Sequence, residues 1–536
     1  MSQDAGVDID YDVVAVGAGF AGMYLIHKLR ALGFGVRVYE RGSGVGGTWY
    51  WNRYPGARCD IESMDYSYSF SPELEQEWEW SERFATQPEI LRYANHVADR
   101  FDLRRDIRFG TSVAGAAYDE DRRVWAVTTD RGERVTARFF VMATGCLSTS
   151  KLPEVDGVAS FAGATYHTGR WPHEGVDFAG QRVGVIGTGS SAIQAIPVIA
   201  RQAAHLTVFQ RTAQYSLPAH NRPLGPEQDE VKADYTGLRE RNRKMTGGYG
   251  SRFGVPEHSI FELSDDERQA ELERWWAIGG PYFLRAFTDV FLDQRANDLA
   301  AEFVRGKIRA TVRDPEVAAL LSPTTTIGCK RICIDTGYFE TYNLPHVRLV
   351  DISRDPVELT PTGVRTGGVD HELDAVVFAT GFDAMTGTLL RVDIRGRGGR
   401  TLRDAWAAGP RTYLGLQVPG FPNLFTITGP GSPSVLSNMI ASIEQHVDWI
   451  TACITHLRDN GVATIEADEE PADQWVLHVN AVADATLYPT CNSWYLGANI
   501  PGKPRVFMPL PGVPGYARIC DDVAADGYRG FVLTPA

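Results

Sequence analysis

The chain has 536 residues, of which 43% are hydrophobic and 22% are charged. This composition is ordinary for a globular protein, and the length suggests roughly three to four domains of about 150 residues each. The 53 Lys and Arg residues against 67 Asp and Glu residues give a net charge of −14. That charge argues against a nucleic acid or an anionic membrane as a partner. No apolar run approaches the roughly 20 residues that span a bilayer.

Two features bear on where the protein works. The stretch from Met1 to Asp12 carries acidic residues where a signal peptide would be basic, so export is not indicated. The seven cysteines are odd in number and scattered along the chain. They predict isolated buried thiols in a reducing compartment rather than a disulfide framework. Together these features predict a cytoplasmic protein.

The first structural motif lies near the N-terminus. Tyr11 to Val16 forms a short apolar strand that leads into a glycine-rich turn, and Met23 to Leu32 has the apolar spacing of a helix. A second strand, Val36 to Tyr39, ends at Glu40. Strand, glycine turn, helix, strand and acid in this order are typical of a dinucleotide-binding unit.

The glycines of that turn, Gly17-Ala18-Gly19-Phe20-Ala21-Gly22, have separate predicted tasks. Gly17 and Gly19 permit a tight turn and the close approach of a pyrophosphate, whereas Gly22 lets the helix pack on the strand. Glu40 lies 18 residues after Gly22 and can accept hydrogen bonds from a ribose. A glycine turn can also serve packing alone, but the flanking strands and the acid favour dinucleotide binding.

The same order of elements returns downstream, with one informative difference. The strand Arg182 to Ile186 leads into Gly187-Thr188-Gly189-Ser190-Ser191-Ala192, and a helix and the strand Leu206 to Phe209 follow. Glu40 lies 23 residues after Gly17, but Gln210 and then Arg211 stand at the matching place after Gly187. An arginine there can bind a 2′-phosphate, so the second unit is predicted to prefer NADP(H) to NAD(H).

Repeated tripeptides, and long charged amphipathic stretches between about Ala219 and Leu321, suggest the domain layout. Ala143-Thr144-Gly145 and Ala379-Thr380-Gly381 each end a buried-looking strand, as expected where the chain passes between domains. The predicted fold is α/β, with two Rossmann-like dinucleotide-binding domains and a helical insertion. The predicted segments are an FAD domain from 1–150 and 381–536, an NADP domain from 151–218 and 322–380, and the insertion at 219–321.

Two dinucleotide sites in one chain imply electron transfer from a nicotinamide to a flavin. A disulfide reductase would then need a redox cysteine pair, usually Cys-x-x-Cys, and the only close pair is Cys329 and Cys333, with three residues between them. That spacing is poor evidence for such an enzyme. The twelve histidines form no metal-binding motif, so no metal is predicted.

Two longer motifs identify a family. Phe161-x-Gly163-x-x-x-His167-x-x-x-Trp171-Pro172 precedes the second glycine turn, and Gly46-Gly47-x-Trp49-x-x-x-x-Tyr54-Pro55-Gly56-x-x-x-Asp60 follows the first. With both glycine turns and Cys329-Lys330-Arg331, they make nearly the whole chain resemble the type I Baeyer–Villiger monooxygenases. The runs 52–71 and 428–439 are most similar to the phenylacetone and steroid monooxygenase branch.

The resemblance implies cofactors, a reaction and roles for particular residues. Such enzymes reduce FAD with NADPH, trap O2 as a flavin peroxide, and convert a ketone to an ester or lactone. By likeness, Arg331 is the fixed cation that stabilises the peroxide and the oxyanionic adduct, and Asp60 positions it. From the pair alone, a buried ion pair that ties domains together would be the commoner role for these two residues.

The resemblance also implies further contacts. Lys330 would be a second contact to the 2′-phosphate, and Trp494 would touch NADP, although both could be ordinary surface or core residues. Ser434, Val435, Leu436 and Met439 would line the substrate pocket, unless they only fill the core. The remaining predicted cofactor-binding residues are Gly47, Thr48, Trp49, Asp60, Gly187, Gly189, Ser190, Arg211 and Thr212.

The glycine turns are also compatible with two other functions. A flavin monooxygenase that oxygenates amines or sulfides is the nearest rival, and a non-catalytic NADPH sensor is another. His167 is interpreted as a structural hinge residue. The segment 509–516 departs from the family by its prolines, which leaves its path open. The sequence specifies neither the physiological ketone nor the selectivity, and we expect a monomer.

Overall fold

The computed structural model describes residues 9–151 and 153–536. Most of the acidic stretch from Met1 to Asp12 therefore lies outside the described residues. Within the described ranges, no helix has the length and hydropathy needed to cross a bilayer.

Twenty strands are formed in the described part of the chain. In chain order they are β1 (Tyr11–Val16), β2 (Val36–Tyr39), β3 (Ile107–Arg108), β4 (Val113–Asp119), β5 (Val124–Thr129), β6 (Arg134–Met142), β7 (Ala164–His167), β8 (Arg182–Ile186), β9 (His205–Gln210), β10 (Ser216–Pro218), β11 (Cys333–Asp335), β12 (Val347–Asp351), β13 (Glu358–Thr360), β14 (Gly363–Thr366), β15 (Val369–Glu372), β16 (Ala375–Phe378), β17 (Asp393–Arg395), β18 (Leu424–Thr426), β19 (Val462–Ala467) and β20 (Phe531–Pro535).

The described residues also form fifteen α-helices. They are α1 (Phe20–Ala31), α2 (Thr48–Trp51), α3 (Pro72–Glu77), α4 (Gln87–Arg100), α5 (Ser190–Ala200), α6 (Pro226–Ala233), α7 (Tyr235–Arg243), α8 (Asp265–Ile278), α9 (Gln294–Thr311), α10 (Pro315–Leu321), α11 (Tyr338–Thr341), α12 (Leu402–Ala405), α13 (Met439–Asp459), α14 (Glu469–Asp484) and α15 (Val513–Ala525).

The first sheet combines strands from both ends of the chain. Its order is β17-β4-β5-β6-β1-β2-β3, and β18 also pairs with β6. The central strand β1 runs parallel to β2 and β6, and α1 packs between this sheet and α13. Strands β17 and β18 come from beyond residue 390, so the C-terminal part of the chain completes the sheet that the N-terminus begins.

The second sheet is wholly parallel. Its order is β12-β9-β8-β16-β7, and every neighbouring pair runs in the same direction. A parallel sheet is covered on both faces, which explains why β8 and β16 are nearly continuous apolar runs. Each sheet carries one predicted glycine turn at the carboxyl end of a central strand, β1 or β8. These are the places where an open α/β sheet binds its ligands.

The α/β prediction with two Rossmann-like units is confirmed, and the strands β1, β2 and β8 have the predicted bounds, whereas β9 extends one residue beyond the predicted strand at each end. The first helix begins at Phe20, three residues before the predicted start, because the helix already includes the end of the glycine motif.

The stretch between β10 and β11 is helical, with α6 to α10 as its α-helices. Helix α8 opens with a capping box in which the Ser264 hydroxyl accepts from the Glu267 N–H while the Glu267 carboxylate accepts from the Ser264 N–H, and it ends at Gly279. Asp314 caps α10, whose first residue is Pro315. Both helices therefore begin with side-chain caps that satisfy free backbone N–H groups.

Gly22 should be the least replaceable glycine of the first turn. A Cβ on it would lie 1.9 Å from the Gly17 carbonyl oxygen, so Gly22→Ala must push α1 away from β1. We expect loss of bound flavin and a lower melting temperature. Gly306→Ala in α9 is the matched control, because its nearest neighbour is 3.9 Å away and alanine should stabilise that helix by up to about 1 kcal/mol. Equal melting temperatures and flavin contents for the two variants would contradict the packing role of Gly22.

Candidate active site

One large cavity lies between the two sheets. Its volume is about 1290 Å³, and its walls include both glycine turns, Arg331 and Trp494. An ordinary small-molecule pocket measures roughly 300–1,000 Å³. The cavity therefore has room for more than one ligand.

The two glycine turns present uncapped helix N-termini to this cavity. Gly19 precedes α1 and Gly189 precedes α5, and neither helix start has a side-chain cap or an acid in its first turn. Gly17 and Gly187 adopt φ values of +104° and +111°, which favour glycine. Open N–H groups at a positive helix end suit a pyrophosphate. Two such ends fit two dinucleotides.

Glu40 lies at the carboxyl end of β2, with both oxygens already accepting backbone hydrogen bonds. Oε2 accepts from the Ala18 N–H at 2.9 Å, and Oε1 accepts from the Gly42 N–H at 2.7 Å. The carboxylate faces the cavity and retains lone pairs that can accept a ribose hydroxyl. Glu40 thus both fixes the glycine turn and can bind the ligand.

The motif from Gly46 to Asp60 passes from the first glycine turn to the second. Gly47 faces Gly19 so closely that a Cβ on Gly47 would lie 2.8 Å from the Gly19 Cα. Tyr54 OH donates to Gln194 Oε1 in α5 at 2.8 Å. Gly56 would place a Cβ 2.3 Å from the Gln194 carbonyl oxygen, so only glycine allows this approach. The motif therefore docks the first unit on the helix of the second.

Arg331 and Asp60 form a two-pronged ion pair on the cavity wall. Arg331 Nε donates to Asp60 Oδ2, and Nη2 donates to Oδ1, both at 2.8 Å. Nη1 donates to the Val435 carbonyl oxygen. These contacts use three of the five guanidinium donors, which leaves two for a ligand. The exposed fractions of the two side chains, 27% and 23%, show that the pair still faces the cavity.

Burial opposes the positive charge on Arg331, but the Asp60 carboxylate outweighs this effect and raises the pKa of Arg331 above its ordinary value. The guanidinium is a permanent cation at the place where the two units meet.

A cluster of cations lies at the far side of the second glycine turn. Arg211, Lys330 and Lys151 all line the cavity. Burial and then the charge of Arg211 lower the pKa of Lys330, and the same two causes, in the same order, lower that of Lys151. Within the described ranges, neither Arg211 nor Lys330 has an acidic partner in an ion pair. The cluster fits a phosphate group. Gln210 instead turns away and donates to the Leu320 carbonyl oxygen.

Three buried polar atoms lie on the cavity wall. Asn52 Oδ1, Ser493 Oγ and Asn499 Oδ1 make no hydrogen bond within the part of the chain that the structure describes. Leaving such atoms unpaired is costly, so the wall is built for polar ligands. Together with the helix ends, the cations and Glu40, these atoms show that the residues present fit FAD and NADP.

The other predicted residues divide into two groups. Thr48, Trp49, Ser190, Thr212, Trp494, Val435 and Met439 line the cavity. Gly22, Ser434 and Leu436 do not. Gly22 lies in the first turn of α1 and faces the Gly17 carbonyl oxygen, and the Ser434 hydroxyl donates to the Thr428 carbonyl oxygen. Ser437 and Ile443 face the cavity instead.

The prediction of seven isolated thiols is wrong. Cys329 and Cys491 form a disulfide, with their Cα atoms 6.0 Å apart. The other five cysteines are free and buried. The partners lie 162 residues apart in sequence, and no local spacing reveals a contact over that range.

His167, at the end of β7, contacts both chain segments that connect the sheets, one at Lys151 and the other at Thr380. Its Nδ1 accepts from the Gly169 N–H at 3.0 Å, so Nε2 carries the proton and donates to the Lys151 carbonyl oxygen at 2.9 Å. Burial lowers its pKa, which keeps it neutral. These contacts support the interpretation of His167 as structural.

Besides Ser437 and Ile443, the site contains three further residues that the sequence did not predict. Gln194 joins the motif of residues 46–60 to α5, Lys151 donates to the Asn499 carbonyl oxygen, and Cys491 joins Cys329. Of these three, only Gln194 could have been found from the sequence, because it lies in the helix that follows the second glycine turn. The segment 509–516 has a definite path, because Tyr516 is buried and donates to the Leu414 carbonyl oxygen at 2.7 Å.

Comparison with known proteins places this chain among flavoprotein monooxygenases. Residues 14–224 match the family model described as pyridine nucleotide-disulphide oxidoreductase. A Baeyer–Villiger monooxygenase of Pseudooceanicola batsensis is 44% identical over 98% of this chain and 97% of its own length. A phenazine N-monooxygenase of Lysobacter antibioticus is 42% identical over 98% and 97%.

Solved structures agree closely with the fold. An oxidised steroid monooxygenase bound to NADP is 55% identical and covers 98% of this chain and 100% of its own, with a TM-score of 0.93. A complex of OTEMO with FAD and NADP is 41% identical, covers 98% and 100%, and has a TM-score of 0.95.

The shared cavity with a glycine turn from each sheet is the site of a flavoprotein that binds two dinucleotides, as in the solved structures with FAD and NADP. The chain belongs to the Baeyer–Villiger monooxygenase family. It is an enzyme whose cofactors are FAD and NADPH.

Glu40→Gln should weaken FAD binding about ten- to a hundredfold, since a charge-assisted hydrogen bond contributes on the order of 1.5–3 kcal/mol. Flavin content after gel filtration and reconstitution of the apoprotein with FAD would measure this. Asp12→Asn is the matched control, because Asp12 also accepts a backbone N–H, from Gly35 at 2.8 Å, but does not line the cavity. Equal FAD affinities for the two variants would refute a ligand contact by Glu40.

Proposed function

We propose that this enzyme inserts one oxygen atom of O2 beside the carbonyl of a ketone to give an ester or lactone, with Arg331 as its catalytic cation. The observation that carries the proposal is the Arg331–Asp60 fork on the wall of the shared cavity. Several relatives are named for ketones, among them an acetone monooxygenase of Gordonia sp., and this supports a ketone as the substrate.

When bound, FAD supplies the activation of O2 with electrons from NADPH. The protein's own contribution is to place charge and exclude water. Oxygen insertion builds negative charge on the ketone oxygen, and a preorganised cation stabilises that charge without rearrangement. Arg331 keeps two donors toward the cavity, and Asp60 with the Val435 carbonyl fixes their direction.

The raised pKa of Arg331 has a chemical consequence. A guanidinium that stays protonated donates hydrogen bonds without losing a proton to a basic oxygen nearby. The site can therefore hold an anionic oxygen without protonating it. Asp60 acts here as a positioning residue.

We assign the second glycine turn to NADPH, with the 2′-phosphate on Arg211 and Lys330. Ser190 and Thr212 border the same region of the cavity, and Trp494 closes it from the C-terminal part of the chain. The first turn, with Glu40, Gly47, Thr48 and Trp49, is assigned to FAD. Val435 and Met439 are the proposed substrate contacts. We also propose the five predicted domain segments, a monomer and a cytoplasmic location. The Cys329–Cys491 disulfide means that the cysteines no longer support the cytoplasmic location.

Oxygenation of nitrogen is the second candidate, because a phenazine N-monooxygenase is 42% identical over 98% of this chain. Overall similarity therefore does not separate the two reactions. A nitrogen atom attacks the activated oxygen directly and builds no carbonyl oxyanion, so that reaction depends less on Arg331. A panel of ketones and aromatic amines, with NADPH oxidation and product mass spectrometry, distinguishes the two.

Arg331→Ala should reduce ester formation about a hundred- to a thousandfold, as expected when one preorganised donor is lost from an oxyanion site. Asp60→Ala should lose less, because the cation itself remains. Stopped-flow absorbance would follow flavin reduction, and product analysis would follow oxygenation. Both variants should fold and bind FAD.

Arg182→Ala is the matched control for Arg331→Ala. Arg182 makes the same two-pronged contact, to Asp374 at 2.9 and 3.1 Å, but it is on the surface and outside the cavity. Its variant should keep near wild-type activity. If Arg331→Ala still forms ester at a near wild-type rate, the oxyanion role is wrong and nitrogen or sulfur oxygenation becomes the better assignment.

Arg211→Ala should raise the KM for NADPH about ten- to a hundredfold, since a charged contact to phosphate contributes on the order of 1.5–3 kcal/mol. The KM for NADH should stay nearly unchanged. Arg201→Ala is the control, because Arg201 is an exposed arginine at the opposite end of α5. Equal losses with both coenzymes would show that Arg211 does not bind the 2′-phosphate.

A further inference from the structure

The disulfide joins two segments that both reach the cavity. Cys329 comes directly before Lys330 and Arg331. Cys491 lies three residues before Trp494 and directly before Asn492 and Ser493, which line the cavity. The S–S bond thus links the cations of the site to the segment that carries Trp494.

The segment from Cys491 to Lys503, which we call the clamp segment, is held differently at its two ends. At its C-terminal end, Lys503 Nζ donates to Asp383 Oδ1 and Asn499 Nδ2 donates to the Phe382 carbonyl oxygen, both at 2.7 Å. Lys151 adds a contact to the Asn499 carbonyl. All three anchors belong to the connection between the sheets.

At the N-terminal end of the clamp segment, the hydrogen bonds to the rest of the protein that the described residues form come from the residues just before Cys491, and none of them involves a charged group. Thr490 Oγ1 donates to Thr326 Oγ1 at 3.0 Å, and the Leu487 N–H donates to the Phe291 carbonyl oxygen at 2.8 Å. The disulfide is the one covalent anchor here. It holds Cys329, which is 1% exposed, against the start of the clamp segment.

We propose that the Cys329–Cys491 disulfide is a positioning cross-link for NADPH, which holds the clamp segment with Trp494 over the dinucleotide site. This inference rests on the proposed assignment of NADPH to the second glycine turn. Without the cross-link, binding of the dinucleotide must also order the clamp segment, and this ordering lowers the affinity. Arg331 itself should stay in place, because Asp60 and the Val435 carbonyl still hold it.

Formation and reduction of the S–S bond are both two-electron steps. Two thiols give up two protons and two electrons when the S–S bond forms, and hydrogen peroxide as the oxidant would take them up and leave two water molecules. A phosphine reverses the step by donating two electrons, while water supplies two protons and its oxygen to the phosphine oxide.

A count of thiols tests whether the cross-link exists. The purified protein, unfolded without reductant and alkylated, should show five modified cysteines, and seven after phosphine treatment. Mass spectrometry should also find a peptide pair joined through Cys329 and Cys491. Seven modified cysteines before reduction would overturn the proposal.

A double-mutant cycle tests its role in binding. Cys329→Ser and Cys491→Ser should each weaken NADP⁺ binding about two- to tenfold, and the double variant should be no weaker than either. The KM for NADPH should follow, with kcat at saturating NADPH within about twofold of wild type. Effects that add in the double variant, or no effect, would overturn the proposal.

Two controls complete the design. Cys453→Ser removes a buried free thiol in α13, outside the cavity, and should leave NADP⁺ affinity unchanged. Phosphine should weaken NADP⁺ binding to the wild type and leave the double variant unaltered, whereas a shift in both would contradict the role. None of these measurements needs a ketone, so a failure of ketone oxidation remains distinguishable from a failure of the cross-link.

Discussion

The contact between Arg331 and Asp60 is the interaction on which the site depends. The two residues are 271 positions apart in sequence, and they meet only if both glycine-turn units fold and dock correctly. Removing charges from water is expensive, and a pair recovers that cost only with good geometry and further hydrogen bonds. Here the two-pronged fork and the Val435 carbonyl supply them. Unused donors still face the cavity, so the pair serves chemistry as well as structure.

The electrostatics of the cavity run against those of the whole chain. The protein carries a net charge of −14, yet its ligands are anionic dinucleotides. Two uncapped helix ends, Arg211, Lys330 and Arg331 concentrate positive potential where phosphates and reacting oxygens bind. Local charge placement therefore decides ligand binding, and the net charge affects solubility and partner choice.

Local features of the sequence predicted the fold and the backbone turns that form the two nucleotide sites. The glycine turns, the strands that lead into them and the position of Glu40 all follow from short-range backbone rules, and the structure has them where expected. Arg331 and Asp60 needed the family motifs, because no spacing links residues so far apart. The disulfide and the contact of Gln194 with Tyr54 were missed for the same reason. Ser434 and Leu436 illustrate a third limit: the motif located the correct loop, but side-chain direction depends on packing around it.

The two connections between the sheets have a mechanical consequence. The outgoing chain near Lys151 and the returning chain near Gly381 run side by side, with the Lys151 N–H donating to the Gly381 carbonyl at 2.9 Å and the Asp383 N–H donating to the Thr149 carbonyl at 2.8 Å. Sliding one chain past the other would break each of these bonds, at a net cost of about 0.5–1.5 kcal/mol apiece. The paired connections therefore hold Lys151 and Asp383 at a fixed spacing, and these two residues in turn hold Asn499 and Lys503 at the C-terminal end of the clamp segment.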